Sequence, residues 1–401
     1  MRISIMALTT AALLAGTSLA FADDVKIGAL MDATGPIASF MPPLQNATNL
    51  AIKHVNDGGG ILGGKAVLAV GDTGGAAQGS VDAAGKLVNV ENVPVIMGAF
   101  MSGTTIAAAN AATIPAGVVQ ISPTATSPAM TDIADNDTLF RLVPSDNYQG
   151  VVLAKIVLDE GIKKVAVTYV NNDYGVGIGE TFIKAFKDAG GEVVAAEKHE
   201  EKKNSYRSEL AALAGAGKAD ALVVIAYAGD SGSTIVKQAI EGGLFDRFIG
   251  TDGLRDDALI KEVGADALKT SFFSSPTSPA DNPAQAKLHE LYNAEFKEGA
   301  DKAFVDQTYD ATFLAALAVE KAGSTDRTKI AKALREVASS PGEKIMPGEW
   351  SKAVEAIKAG KDIDYEGAGG SYDFDEHGDV KGYIGKFVVD GDKYKQVGIF
   401  Q

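Results

Sequence analysis

The stretch VIMGAFMSGTTIAAANAATIPAGVVQISPTATS, residues 95–127, decides the fold. Two short apolar runs, 95–97 and 118–121, predict strands, and residues 105–112 between them predict a helix. A strand, a helix and a strand in this order predict a parallel sheet. Each predicted strand is followed by a loop rich in serine and threonine, so hydroxyl and backbone N–H groups gather where an anion can bind. Taken alone, the loops also allow a simpler interpretation, in which these hydroxyls only cap turns.

The same alternation of strands and helices continues on both sides of this stretch. It begins at Val25 and starts again after Phe140-Arg141-Leu142, with further strands predicted at 164–169, 192–196, 221–226 and 248–250. The sequence therefore predicts an α/β protein of two doubly wound, three-layer lobes. A proline-containing linker at 275–279 precedes three predicted helices. Residues 370–400 alternate around 376–379 and around 390–392, which predicts a hairpin at each. A chain that returns to its first lobe in this way predicts a hinge.

The N-terminus has the pattern of a secretory signal peptide. A short basic start is followed by a small, apolar run, and Ala20-Phe21-Ala22 fits an A-x-A cleavage site. An uncleaved membrane anchor would need about 20 strongly apolar residues, and threonine and glycine dilute this run. We therefore expect residues 1–22 to be removed after Ala22.

Composition excludes several classes of function. The chain has no cysteine, which excludes disulfides, thiolate metal sites and a lipid-modified cysteine. Its net charge of −15 repels nucleic acid and anionic lipid. No stretch after the signal peptide is long and apolar enough to span a bilayer. We expect no nucleic-acid partner, no membrane insertion and a monomer.

Four motifs that resemble catalytic or metal sites fail in their details. Residues 59–65 match G-x-x-x-x-G-K, but Ala66 stands where a phosphate-binding loop requires serine or threonine. Glycines 175, 177 and 179 are too closely spaced for a dinucleotide fingerprint and predict instead a helix start with close backbone approach. Residues 229–232 resemble a serine-protease nucleophile, yet we expect no histidine in a loop at a strand's carboxyl end. Residues 373–384 lack the glutamate of a calcium loop.

We therefore expect no catalytic residue, no metal and no cofactor, and an α/β enzyme is the distant alternative. Once these four motifs are rejected, the remaining candidates for a functional site are polar side chains on loops that follow predicted strands. Asp252, within Ile-Gly-Thr-Asp-Gly, is placed to pair with a ligand cation, unless it only forms a turn. Hydroxyls from one lobe facing a carboxylate and tyrosines from the other would suit a small zwitterion. The set comprises Ser102, Thr104, Thr105, Thr124, Thr126, Asp173, Tyr174, Tyr227 and Asp252.

Short motifs along the whole chain after residue 22 resemble the periplasmic leucine-isoleucine-valine-binding protein family, the solute receptors of branched-chain amino acid ABC transporters. Each motif is weak alone, but their order and spacing together are specific. They are Gly35–Ala38, Asn56–Gly60, Leu62–Lys65, Ile121–Thr126, Asn171–Gly175, Phe248–Gly253 and Phe374–Gly382.

The resemblance implies a type I periplasmic binding fold, in which three crossovers join two lobes. We expect lobe 1 to comprise residues 23–141 and 277–384, and lobe 2 to comprise 145–272 and 388–401. The hinge crossovers are expected near 142–144, 273–276 and 385–387.

The resemblance also assigns roles to residues. Ser102 and Thr126 would hold the ligand's carboxylate, and the backbone at Thr124 would help to hold its ammonium. The acidic residue for the ammonium falls on Asp252, where the best-known member of the family has a glutamate. Phe100 could project into the apolar part of the pocket. Aromatic walls fall on Phe40, Tyr174, Tyr227 and Phe304.

We expect, on this resemblance, a periplasmic solute-binding protein that is not an enzyme. It would capture a small neutral amino acid, branched-chain or other, by hinge closure and deliver it to an inner-membrane ABC permease. The family also contains receptors for aromatic acids, amides and urea. The alternative is therefore a protein of the same fold that binds an aromatic acid, an amide or a urea-like solute instead of an amino acid.

Overall fold

The computed structural model describes residues 23–401, so the expected signal peptide and its cleavage after Ala22 lie outside the described residues. The described chain forms two large sheets and one small two-stranded sheet. Among the helices of residues 23–401, none is both long and apolar enough to cross a membrane.

The first sheet contains five parallel strands from the N-terminal part of the chain. They are β1 (Val25–Met31), β2 (Ala66–Asp72), β3 (Val95–Gly98), β4 (Val119–Ser122) and β5 (Leu139–Arg141), in the spatial order β2-β1-β3-β4-β5. Strands β3, β4 and β5 are buried at every residue, as expected for strands that helices cover on both faces. The connecting helices are α1 (Met41–Asp57), α2 (Ala77–Asn89) and α3 (Ser102–Ala108), which continues as a π-helical turn over 109–113.

Five of the seven strands of the second sheet are parallel and follow the first sheet in sequence. They are β6 (Lys164–Val170), β7 (Glu192–His199), β8 (Ala221–Ile225), β9 (Phe248–Gly250) and β10 (Phe272–Thr277). The helices of this part are α4 (Asp146–Asp159), α5 (Asp173–Asp188), α6 (Arg207–Gly215), α7 (Ser233–Glu241) and α8 (Asp257–Val263). The carboxyl ends of these strands face the same cleft as those of the first sheet.

After β10 the chain returns to the first sheet. The returning elements are α9 (Pro283–Phe296), α10 (Val305–Ala322), α11 (Arg327–Ala338), β11 (Glu343–Ile345), α12 (Trp350–Lys358) and β12 (Ile363–Tyr365). Helix α10 is buried from Val305 to Glu320 and packs against α1 and β3, which places it at the centre of the lobe. Trp350 is fully buried and donates its indole N–H to the carbonyl of Gly60 at 2.9 Å.

The C-terminal hairpin completes the second sheet. Strands β13 (Tyr383–Asp390) and β14 (Lys393–Phe400) pair around Asp390-Gly391-Asp392, as predicted, and β13 pairs antiparallel with β10. The final order is β14-β13-β10-β9-β8-β6-β7. The hairpin expected around residues 376–379 is wrong. There the Asp375 carboxylate accepts the N–H groups of His377 and Asp379, at 2.9 and 3.0 Å, and forms a local turn.

The predicted two-lobed α/β fold is confirmed, whereas the residue bounds of the lobes and hinge stay predictions. Two of the predicted hinge segments, 273–276 and 385–387, lie inside β10 and β13, which pair with each other. The elements absent from the prediction are short: α8 has seven residues, α12 has nine, and β11 and β12 have three each. Such lengths give too few repeats of an apolar pattern to be recognised.

Candidate ligand-binding site

A small cavity lies between the two lobes at the carboxyl ends of their strands. The cavity has a volume of about 30 Å³, and both polar and apolar side chains line it. The eight residues to which the family resemblance gives ligand contacts or aromatic walls all line it, whereas Thr104, Thr105 and Asp173 of the predicted polar set do not. The lining residues are Ile37, Phe40, Leu44, Phe100, Met101, Ser102, Thr124, Thr126, Tyr174, Tyr227, Asp252, Gly253 and Phe304.

The first hydroxyl-bearing loop ends where α3 begins. The helix starts at Ser102, three residues before the predicted start, because the hydroxyls of Thr104 and Thr105 donate to the carbonyls of Met101 and Ala99 and hold the first turn. These two threonines therefore act as capping residues and do not line the cavity. The Ser102 hydroxyl does line it and accepts the N–H of Ser127 at 3.2 Å.

The second loop follows β4 and is tied to the first. The Thr124 hydroxyl donates to the carbonyl of Phe100 at 2.5 Å. The carbonyl of Thr126 accepts a hydrogen bond from the guanidinium of Arg141 at 3.1 Å and another from the N–H of Asp146 at 2.8 Å. The backbone of this loop is therefore fixed in place, which leaves the Thr126 side chain on the cavity wall.

A buried carboxylate absent from the prediction holds the first loop from behind. Asp32, at the end of β1, accepts the N–H groups of Phe100 and Met101 at 2.7 and 3.2 Å and the hydroxyl of Thr73. Burial raises the pKa of Asp32, and these hydrogen bonds oppose the rise. Asp32 thus fixes the backbone that presents Ser102. Its sequence signal was weak, because a lone aspartate after a strand is common at turns.

We expect Asp32→Ala to weaken both the fold and the site. The change leaves two buried N–H groups without an acceptor, which costs about 2–5 kcal/mol of unfolding free energy. Urea unfolding measures this loss, and calorimetry measures solute affinity. Asp32→Asn keeps one acceptor oxygen and should lose less than half as much stability. Equal stability of the alanine variant and the unmodified protein would contradict this role.

The second lobe contributes two stacked tyrosines. The rings of Tyr174 and Tyr227 lie 5.0 Å apart at an angle of 24°. The Tyr174 hydroxyl donates to Oδ1 of Asp252 at 3.1 Å, lies 2.7 Å from the hydroxyl oxygen of Thr251, and accepts the N–H of Gly253 at 3.1 Å. Tyr174 therefore forms a wall and also orients the acidic residue. Asp173, its neighbour in sequence, does not line the cavity.

Asp252 is the acidic residue of the cavity. It is 5% exposed, and its Oδ1 also accepts the Nε2–H of Gln149 at 2.9 Å. Burial raises the pKa of Asp252 to about 6, and the hydrogen bonds from Gln149 and Tyr174 oppose the rise. Because both donors lie on Oδ1, the other oxygen is left for a ligand.

The apolar wall comes mainly from the first lobe. Phe40 directly precedes α1, Phe304 directly precedes α10 in a left-handed backbone conformation (φ +65°), and Phe100 also lines the cavity. Ile37 and Leu44 complete this wall and were not predicted, although Ile37 lies in a motif that carried the family resemblance. Together they enclose an apolar group next to the polar end.

The lobes contact each other around the cavity. The Ser39 hydroxyl donates to the carboxylate of Asp256, and the Lys302 ammonium lies 2.5 Å from the carboxylate of Asp257. Elsewhere between the lobes, the Ser127 hydroxyl donates to the carbonyl of Asp173 at 2.9 Å. The structure therefore shows the cleft in a closed arrangement.

One expectation about the rejected motifs is wrong. His199 is the last residue of β7, and its Nε2 lies 2.9 Å from the hydroxyl oxygen of Ser231. Its other ring nitrogen lies 2.7 Å from the hydroxyl of Thr168, where a catalytic triad has a carboxylate. Burial lowers the pKa of His199 to about 4, so the imidazole is neutral. All three side chains are buried and none lines the cavity, which makes this a structural network.

The glycine-rich motif forms the helix start that was predicted for it. Helix α5 begins at Asp173, and a Cβ on Gly175 would lie 2.1 Å from the carbonyl of Val170, so the glycine permits a close backbone approach. Within the described part of the chain, no group of three or more histidine, aspartate or glutamate side chains is arranged to hold a metal.

Comparisons with known proteins agree with this geometry. A sequence profile of the periplasmic binding protein family matches residues 24–355. A Leu/Ile/Val-binding protein homolog of Brucella melitensis is 30% identical over 318 residues, which cover 78% of this chain and 82% of the relative. A leucine-, isoleucine-, valine-, threonine- and alanine-binding protein of Pseudomonas aeruginosa is 28% identical over 318 residues, covering 78% and 83% of the two chains.

Two solved structures share the fold. A leucine-binding protein of Thermotoga maritima superposes with a TM-score of 0.79 at 24% identity, covering 94% of this chain and 98% of the other. A solute-binding protein of R. palustris, solved with benzoate, gives a TM-score of 0.77 at 19% identity, covering 94% and 96%. At these identities the two structures support the two-lobed fold and leave the solute open.

Proposed function

Because this chain belongs to the periplasmic binding protein family, we propose that it is the solute receptor of an ABC transporter and that it binds a small neutral amino acid, branched-chain or other. The observation that carries the proposal is the division of the cavity between the lobes. Hydroxyls at Ser102 and Thr126 come from one lobe, and the carboxylate of Asp252 comes from the other.

This division suits a zwitterion. An α-carboxylate would accept hydrogen bonds from the hydroxyls and nearby N–H groups of the first lobe, and an α-ammonium would pair with Asp252. The side chain would then lie against Phe40, Phe100 and Phe304, an apolar wall that suits an aliphatic group. The Pseudomonas relative is named for binding leucine, isoleucine, valine, threonine and alanine, and the Brucella relative is named as a homolog of a Leu/Ile/Val-binding protein.

Closure of the lobes would trap the solute. The two ends of a zwitterion touch different lobes, so both contacts form only in the closed arrangement and the solute stabilises it. The contacts of Ser39 with Asp256 and of Lys302 with Asp257 would add a smaller contribution, since both pairs are partly exposed to water.

An aromatic acid is the second candidate, and one observation favours it. Three phenylalanines line the cavity, and a structural neighbour was solved with benzoate. Benzoate has no ammonium, so it would leave the buried Asp252 carboxylate without an opposite charge, which is costly. For this reason we favour an amino acid.

The remaining assignments follow from the family. We propose that the protein acts in the periplasm after cleavage behind Ala22, as a monomer that delivers its solute to an inner-membrane ABC permease. The two lobes would close about the segments 142–144, 273–276 and 385–387. We expect it to release its solute unchanged rather than to act as an enzyme.

A thermal-unfolding screen tests the solute. Neutral amino acids should raise the unfolding temperature, because a ligand at 100 times its dissociation constant adds about 2.7 kcal/mol to the unfolding free energy. The panel should include benzoate, an amide and urea, with calorimetry on each positive compound. A response to benzoate and none to any amino acid would replace the proposal with the second candidate, and turnover of a bound amino acid would support an enzyme.

A further inference from the structure

A second buried carboxylate lies next to the site, and the Thr126 hydroxyl is near it without forming a hydrogen bond of ordinary geometry. Asp146, the first residue of α4, is fully buried, and neither of its carboxyl oxygens has a partner among the described residues. An ionised carboxylate without donors in the protein interior costs several kcal/mol. The ionised form therefore does not fit these surroundings.

Another buried oxygen without a donor, Oε1 of Gln149, lies on the face of α4 that carries Asp146. Gln149 follows Asp146 by three residues, so the two side chains are neighbours on α4. Its Nε2 donates to Asp252 at 2.9 Å and to the Ser274 hydroxyl at 3.2 Å, whereas its Oε1 is buried and has no donor. One hydrogen between Asp146 and Gln149 would give both residues a partner.

We propose that Asp146 is a protonated carboxylic acid that donates a hydrogen bond to Oε1 of Gln149, and that Gln149 in turn positions the carboxylate of Asp252. Asp146 is thus a positioning residue for the ammonium-binding group, a role that rests on the proposed function. The pair Asp146–Gln149 fixes the direction of the amide, so that its NH₂ group faces Asp252.

The charged groups around Asp146 support this protonation state. Burial raises the pKa of Asp146 well above its usual range, and the nearby carboxylate of Asp252 adds to the rise. The Thr126 hydroxyl and the Arg141 guanidinium oppose it. Arg141, however, already pairs with Asp379 and donates to the carbonyl of Ser127 at 2.8 Å. Tyr174 and Tyr227 also face this region and stay neutral, since burial and these carboxylates raise their pKa values.

The start of α4 does not supply the missing donors. The N–H of Asn147 donates to the hydroxyl of Ser145, and the N–H groups of Tyr148 and Gln149 donate to the carbonyl of Ser145. A carboxylate at a helix N-terminus is normally stabilised by these N–H groups. Ser145 takes them here, which leaves Asp146 free to act as a donor itself.

This arrangement joins the two halves of the site. The N–H of Asp146 donates to the carbonyl of Thr126, on the loop that would hold the ligand's carboxylate, and its side chain reaches Asp252 through Gln149. If Asp146 is neutral, Asp252 carries the single negative charge at this end of the cavity. That charge balances the single positive charge of the ligand's ammonium.

Variants at position 146 test the proposal through affinity. Asp146→Asn keeps a neutral donor and should bind the solute within about threefold of the unmodified protein, whereas Asp146→Ala should bind about tenfold or more weakly. The matched control is Asp159→Asn, at the exposed end of the same helix, which should not change affinity. A loss of affinity in Asp146→Asn as large as in Asp146→Ala would overturn the proposal.

Carbon-13 NMR of protein labelled at the aspartate carboxyl carbons tests the protonation state without any ligand. The resonance that Asp146→Asn removes should have the chemical shift of a carboxylic acid at pH 7, both before and after solute is added. A carboxylate shift at that pH would overturn the proposal. Failure of the unmodified protein to bind amino acids would refute the proposed function instead, and would leave this measurement unaffected.

Discussion

Replacement of Asp252 by alanine is expected to abolish amino-acid binding, with a loss of about 3 kcal/mol or more, which is at least about 100-fold in affinity. Asp252 is nearly fully buried, and it is the one carboxylate that lines the cavity in the described chain. Without it, the ligand's ammonium would be buried with no opposite charge. Calorimetry with the best amino acid from the screen measures the loss.

The matched control is Asp246→Ala, which removes an exposed aspartate near the other end of the same strand, β9, and should leave affinity unchanged. An aromatic acid, which has no ammonium, should bind the Asp252→Ala variant at least as well as it binds the unmodified protein. Undiminished amino-acid binding by this variant would refute the assignment of Asp252.

The same residue predicts a dependence on pH. Burial raises the pKa of Asp252 to about 6, so protonation neutralises it in the empty site as the pH falls through that value. The ammonium then loses its partner, and affinity should fall by up to about tenfold for each pH unit below about 6. The affinity of the Asp252→Ala variant should lack this dependence.

The second large effect is expected from the double variant Ser102→Ala, Thr126→Ala. Each hydroxyl would give the ligand's carboxylate a charge-assisted hydrogen bond worth about 1.5–3 kcal/mol, so their joint removal should cost about 3–5 kcal/mol of binding free energy. Calorimetry measures the loss, and the two single variants show how far the effects add.

Stability has to be separated from binding in this experiment, because the Ser102 hydroxyl also accepts the N–H of Ser127. Urea unfolding of the double variant should show a loss of about 1 kcal/mol. Thr126→Ser, which keeps the hydroxyl, should bind nearly as tightly as the unmodified protein. A loss below about threefold in the double variant would show that backbone groups hold the anion without these side chains.

Much of the site could be predicted because strand order alone determines where polar loops meet. Ser102 and Asp252 each follow a short apolar run, and the carboxyl ends of parallel strands lie at one edge of a sheet. The outlines of the strands and helices followed from apolar periodicity, with errors of one to three residues at most ends. Phe40 and Phe304 came from the family resemblance, since nothing in their local pattern distinguishes a cavity wall from a packed core.

The residues that support the site could not be predicted in the same way. Asp32 and Phe100 are 68 residues apart, and Gln149 and Asp252 are 103 residues apart. Their hydrogen bonds depend on side-chain directions within the folded lobes, which periodicity does not specify. His199 illustrates the same limit, because its pairing with Ser231 requires knowing that β7 continues to residue 199, three residues beyond the predicted end.

Both lobes are completed by elements from the later part of the chain. The first lobe needs α10 at its centre, and the second needs the hairpin of β13 and β14 to cover the edge of β10. The contacts that complete both lobes therefore span long stretches of sequence, which slows folding. The second lobe in particular cannot complete its sheet until residues 383–400 are available to pair with β10.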